Sequence, residues 1–124
     1  MTQKQILLIA CILGALSVAL GAFAAHGLKK MVDAYYLDIF EKGVKYQFYH
    51  TFAILAIGVL MNQFASVNFN LPVYLFVAGI FFFSGSLYLM TFTQITKLGA
   101  ITPIGGLCFI AGWLTLAWSV YQSK

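Results

Sequence analysis

Apolar residues run almost without interruption from Ile6 to Ala25, then give way to Gly27, Lys29 and Lys30. From Leu28 to Lys45 the pattern changes. Leu28, Met31, Val32, Tyr35, Tyr36, Ile39, Phe40 and Val44 recur at helical spacing, with Lys29, Lys30, Asp33, Asp38, Glu41, Lys42 and Lys45 largely opposite them. That periodicity predicts an amphipathic helix over about 28–45, of the kind that lies in a membrane surface. No proline separates it from the next apolar stretch, Phe48 to Met61, so it is free to continue into it. A polar connection with Asn62, Gln63, Ser66, Asn68 and Asn70 follows, and Pro72 suits the first turn of the next helix. That helix is expected over Pro72–Phe92, with a short turn at Thr93–Lys97. Thr102 and Pro103 then read as the N-cap and first residue of a last helix ending near Tyr121.

Charge turns this helical pattern into a membrane pattern. The chain is 62% hydrophobic and 8% charged, where a soluble domain averages about 25% charged. No charged residue occurs from Gln5 to Leu28, from Tyr46 to Thr96, or from Leu98 to Ser123. About 20 apolar residues cross a bilayer as a helix. The expected architecture is therefore all-α, an integral membrane four-helix bundle occupying residues 1–124 as one domain. Its spans lie at about 6–25, 48–61, 72–92 and 103–121, with the interfacial helix between the first two. Lys4, the apolar stretch after it and Ala22-Phe23-Ala24 imitate a cleavable secretory signal. The apolar run continues to Ala25, long enough to span, so retention as an anchor is expected.

The net charge of +4 rests on lysines alone, and basic residues at membrane ends account for it without nucleic acid. Lys29, Lys30, Lys42, Lys45 and Lys97 fall on one side of a four-span chain, and Lys4 and Lys124 on the other. The lysine-rich side is expected in the cytoplasm of a cell-membrane protein, with both termini outside. Lys29/Asp33, Asp38/Lys42 and Glu41/Lys45 are spaced for i,i+4 pairing. Cys11 and Cys108 fall in opposite halves of the membrane, about 12 Å apart along its normal. That is beyond disulfide reach of about 7 Å. They read as packing residues.

Helices in lipid associate where small residues permit close approach. Ala10, Gly14, Ser17, Gly21 and Ala24 form one small-residue stripe; Gly105, Cys108, Gly112, Thr115 and Ser119 form another. Their matching heptad rhythm predicts that spans one and four pack together antiparallel and close the bundle. The alternative is that one stripe is a homo-oligomer interface. Span three, with Phe76, Phe81, Phe82 and Phe83, is expected to show aromatics to lipid.

Polar residues gather at one level. His26 ends span one, Tyr46, Gln47 and His50 open span two, Tyr88, Thr91, Thr93 and Gln94 end span three, and Thr102 precedes span four. The candidate site is therefore a cytoplasmic-face cluster of His26, Gln47, His50, Tyr88, Thr91 and Thr102. The two histidines match no metal-ligand spacing, and no metal or cofactor is expected. A proton relay would use imidazoles at the membrane boundary; structural hydrogen bonding is the plainer reading. Ser84 and Ser86 are expected to bond to backbone carbonyls or a neighbouring helix. No nucleophile–base pair, phosphate loop or intramembrane carboxylate is present, so an enzyme is not expected. A protein acting through helix, lipid or protein-partner contacts fits best. The competing reading is a small oligomeric transporter or channel subunit with a polar path near His26 and His50.

GAFAAHGL at 21–28, YQFYHTFAIL at 46–55, FSGSLYL at 83–89 and LGAITPIGGLCFIAGW at 98–113 resemble the motifs of uncharacterised protein family 0382. The same family is known as domain of unknown function 423, with eukaryotic relatives called transmembrane protein 256. The resemblance covers almost the whole chain in order and departs at Ala24, where the family often has glycine. It implies a multi-pass bacterial plasma-membrane protein without assigned activity, and carries over no catalytic residues.

Overall fold

The computed structural model describes residues Met1–Lys124, and the molecule is all-helical. Helix α1, Gln3–Ala25, begins with a capping box in which Thr2 and Gln5 satisfy each other's backbone N–H groups. It ends at His26, and a short 3-10 turn, Leu28–Lys30, follows. Helix α2, Ala34–Leu60, is capped by Asp33, whose carboxylate accepts the Tyr36 N–H at 3.1 Å. Helix α3, Asn70–Gly79, passes through a π-helical turn, Ile80–Ser84, into α4, Gly85–Thr93. Gln94 stops α4 in the left-handed conformation, φ 57°, and its N–H bonds to Met90 O. A 3-10 turn, Thr96–Ala100, leads into α5, Thr102–Tyr121, with Pro103 in its first turn.

The expected interfacial helix over 28–45 is not a separate element. Residues 28–30 form the 3-10 turn, and α2 continues unbroken from Ala34 through Lys45 to Leu60. The charge boundary at Lys45 changes the solvent the side chains prefer; it does nothing to the backbone hydrogen bonds that propagate the helix. Leu28, Phe40 and Val44 turn inward and pack with Ala24 and Tyr88. The anticipated ion pairs shrink to Lys42–Asp38 at 3.8 Å. Lys29 and Asp33 fail to pair because the 3-10 turn and the cap interrupt the helix between them.

Three stretches are long and apolar enough to cross a membrane: Gln3–Lys30, Asn70–Thr93 and Thr96–Tyr121. Helix α2 is less apolar, because even its more apolar part retains Lys45, Gln47 and His50.

Successive helices run antiparallel. On α1, the Cβ positions of Gly14 and Gly21 face Thr51 and Val44 of α2 at 3.7 and 3.6 Å, and Gln3 Nε2 donates to Gly58 O at 2.8 Å. Gly43 of α2 lies beneath the Tyr88 ring of α4. Gly105 and Gly112 of α5 meet Phe83 and Phe76 in that order. The chain therefore goes up, down, up and down. One end of the molecule collects the Met1 ammonium, which donates to Asn70 Oδ1 at 3.1 Å, and a groove shared by Ser66, Asn68, Gln122 and Lys124.

The expected pairing of spans one and four is overturned. Helix α1 packs on α2, and α5 packs on α3 and the π turn, so the two stripes face different helices. Each small-residue stripe marks a close contact, but with the helix adjacent in the order of the chain. The third helix is also not simply a lipid-facing aromatic wall. Phe81 is 72% exposed, but Phe76 is fully buried and Phe83 partly so. At Gly105, α5 comes so close to the third helix that a Cβ would meet the backbone of Phe83. Cys11 and Cys108 are unpaired, on helices that are not neighbours.

Candidate functional site

Helix α2 is the hub, because each of its faces meets a different neighbour. The face carrying Val44, Gln47, Thr51 and Gly58 receives α1. Gln47, buried there, donates from Nε2 to Leu13 O of α1 at 3.1 Å. Its Oε1 accepts the Tyr88 hydroxyl of α4 at 2.7 Å. One side chain thus ties three helices. A main-chain carbonyl with its helical partner already in place has one lone pair left, and at Leu13 O the Gln47 amide and the Ser17 hydroxyl share it.

His50 lies on a different face of α2 and points at α5. Its Nδ1 is 2.7 Å from Tyr46 O, and its Nε2 is 3.2 Å from Trp113 Nε1. A carbonyl only accepts and an indole N–H only donates. The two contacts therefore specify a neutral imidazole with its proton on Nδ1. The ring lies flat against Phe109, centroids 3.5 Å apart and planes 7° apart, with Phe76 at 5.5 Å. Phe109 in turn covers Gly79, and Phe76 covers Gly112. This is a reciprocal arrangement in which each helix supplies a ring and a gap for the other's ring.

The remaining polar residues form further clasps. Ser84 Oγ donates to Gly43 O at 2.6 Å, joining the π turn to α2. Ser86 and Thr102 share a hydrogen bond of 2.6 Å between α4 and α5. Thr91 Oγ1 donates to Leu87 O at 2.9 Å, with Tyr36 O of α2 3.3 Å away. Thr51 Oγ1, behind Gly14, is the one buried side-chain polar atom without a partner.

The expected cluster is therefore divided. Gln47 and Tyr88 meet directly, Thr91 and Thr102 serve separate contacts, and His50 belongs to the α5 side. His26 joins none of them. It is exposed at the end of α1, where its backbone N–H bonds to Ala22 O and Phe23 O. Nor do these residues share one level: Thr51, next to His50, faces Gly14 in the middle of α1, far from His26 at its end, and Thr91 lies beside Tyr36 near the start of α2. Their direction around each helix was not readable either, since it depends on which neighbour each face meets. Trp113 and Phe109 were missed as His50 partners; Trp113 lies 63 residues from His50, and no spacing rule links them. No three His, Cys, Asp or Glu side chains come together as a group that could hold a metal ion.

Tyr88→Phe keeps the ring over Gly43 but removes the hydroxyl from Gln47. Interhelical hydrogen bonds in membrane proteins contribute about 0.6 kcal/mol on average, with a maximum of about 1.7. A loss of stability within that range is expected in detergent unfolding, and Gln47→Leu made on top of Tyr88→Phe should cost less than Gln47→Leu alone.

Comparison with known proteins bears on this arrangement. Residues 20–106 match the family model described as "Protein of unknown function (DUF423)". A UPF0382 membrane protein of Staphylococcus haemolyticus is 50% identical over 115 residues, covering 90% of this chain and 93% of that protein. Another, from Bacillus subtilis, is 39% identical and covers 92% and 94% of the two chains. A Haemophilus influenzae relative is 40% identical over 100% of this chain and 98% of its own. No solved structure matches. With a matched model spanning most of its length and relatives of this similarity over nearly all of it, the chain belongs to the DUF423, or UPF0382, family of membrane proteins of unknown function.

Proposed function

We propose that the protein is a four-span resident of the cell membrane that acts through contacts with lipid and protein partners, not as a catalyst. The observation that carries this reading is the commitment of its interior polar groups, Thr51 excepted. Gln47, His50, Ser84, Ser86, Tyr88 and Thr91 are each hydrogen-bonded within the helix assembly. Polar side chains in hydrocarbon are costly unless partnered, and here the partners hold helices together instead of facing a reactant.

Four crossings are supported by the antiparallel register. The stretch Val44–Gly58 of α2 runs alongside Gly21–Gln3 of α1, so whatever layer α1 crosses, α2 recrosses. The polar first half of α2 then projects on the lysine-rich, cytoplasmic side, and both termini lie outside.

Single cysteines in a Cys11→Ala, Cys108→Ala background test both points with a membrane-impermeant thiol reagent. Gln63→Cys and Gln122→Cys should label on intact cells, Lys30→Cys only after permeabilisation, and Gln47→Cys in neither condition. Labelling of Lys30→Cys and Gln63→Cys from the same side would remove the α2 crossing. Labelling of Gln47→Cys would reveal a polar path and overturn the contact reading.

A further inference from the structure

Helices α2 and α5 are joined through His50 and Trp113, yet their backbones stay apart. Between them runs a lateral groove of about 570 Å³, lined by Tyr46 and Tyr49 on one side and Gly106, Phe109, Ile110 and Trp113 on the other. Gly106 keeps it open: a Cβ there would meet nothing nearer than the Phe83 ring at 4.0 Å.

The groove has a cationic rim at one end. Lys42 and Lys45 stand four residues before Tyr46 and Tyr49, hence one turn above them on the same side of α2. Both lysines are exposed. Lys45 makes no ion pair, although Glu41 lies one turn above it, and Lys42 has only its solvent-exposed partner Asp38. Cations at the rim, phenols at the boundary and an apolar throat complement a molecule that is anionic at its head and hydrocarbon beyond.

We propose that this groove binds an anionic glycerophospholipid, with its phosphate at Lys45 and Lys42 and one acyl chain between α2 and α5. A zwitterionic lipid would fill the throat but bring a cation to the lysines. A second copy of the chain would bring lysines along with its carboxylates, since Asp38 and Glu41 sit among Lys42 and Lys45, and so offers the rim no net negative charge. The proposal rests on the four-crossing reading, which places the rim at headgroup level and the throat in hydrocarbon.

Trp113 lines the groove and reports occupancy. In detergent-solubilised full-length protein carrying Trp118→Phe, phosphatidylglycerol with brominated acyl chains should quench Trp113 saturably. The half-quenching concentration should be about fivefold lower than for brominated phosphatidylcholine, the factor for one lysine, Lys42 being already offset by Asp38. Lys45→Gln should remove about that factor, Gly106→Leu should abolish saturable quenching by filling the throat, and Lys97→Gln, at the same end but off the groove, should change nothing. Equal titration by the two lipids, saturable quenching retained in Gly106→Leu, or an equal loss in Lys97→Gln would each overturn the site. If the cysteine-labelling pattern holds while lipid discrimination fails, the four crossings stand and the lipid site falls. If the labelling pattern fails, both fall.

Discussion

Gly105→Ala is expected to destabilise the folded protein by about 3 kcal/mol or more, while Gly106→Ala, one residue further on, changes stability by less than about 0.5 kcal/mol. The contrast follows from what each new methyl would meet. At Gly105 it would overlap the backbone nitrogen of Phe83, inside the π turn. A flexible side chain can swing aside at modest cost, but a main chain hydrogen-bonded on both sides of the contact cannot. Either α5 moves off, which unseats Phe109 from Gly79 and Phe76 from Gly112, or the π turn distorts. At Gly106 the methyl enters open groove. Thermal unfolding of the two variants in the same detergent measures the difference, and a Gly105→Ala protein as stable as Gly106→Ala would mean that α5 does not sit where the fold places it.

His50→Ala is expected to lower stability by about 2–4 kcal/mol, and His26→Ala by less than about 0.5. Removing the His50 ring empties the space between Phe76 and Phe109 and leaves the Trp113 indole N–H without its acceptor. Leaving a donor unpaired costs more than the bond itself gains. His26 contributes no side-chain contact of this kind; its backbone N–H ends α1 whatever the side chain. Comparable losses in the two variants, read by the same unfolding experiment, would sink this assignment. His50→Phe is informative beside it, since it keeps the stacking surface and loses both hydrogen bonds.

Much of the longitudinal order of this chain was legible because hydrocarbon imposes it. The start of the third helix was read at Pro72 and lies at Asn70; the last helix was read at Pro103 and begins at Thr102. Proline marks and uncharged runs fix such ends from local chemistry. What lay around the helices was hidden. Gly14 and Gly21 announce that something approaches α1 closely, but a small residue carries no mark of its partner, and the partner is α2 rather than α5. His26 and His50 were grouped at one depth, but His50 lies level with the middle of α1 near Gly14 and faces α5, while His26 caps the end of α1. The lack of a proline after Lys45 left the amphipathic stretch free to run on into the span, and α2 does so from Ala34 to Leu60. What the charge pattern hid is that its first half packs inward instead of lying apart. Nothing in IFFFS announces a π turn.

That turn sets the relation between the two halves of the third helix. Phe76, before it, must address Gly112; Tyr88, after it, must address Gly43 and Gln47. A regular α-helix advances about 100° per residue, and a π turn holds one residue more than the α turn it replaces. The third helix thus behaves as two keys cut on one shaft, with Ile80–Ser84 as the collar that sets the angle between their teeth. Shortening the collar by one residue would leave each key well formed and neither able to fit its lock while the other is engaged.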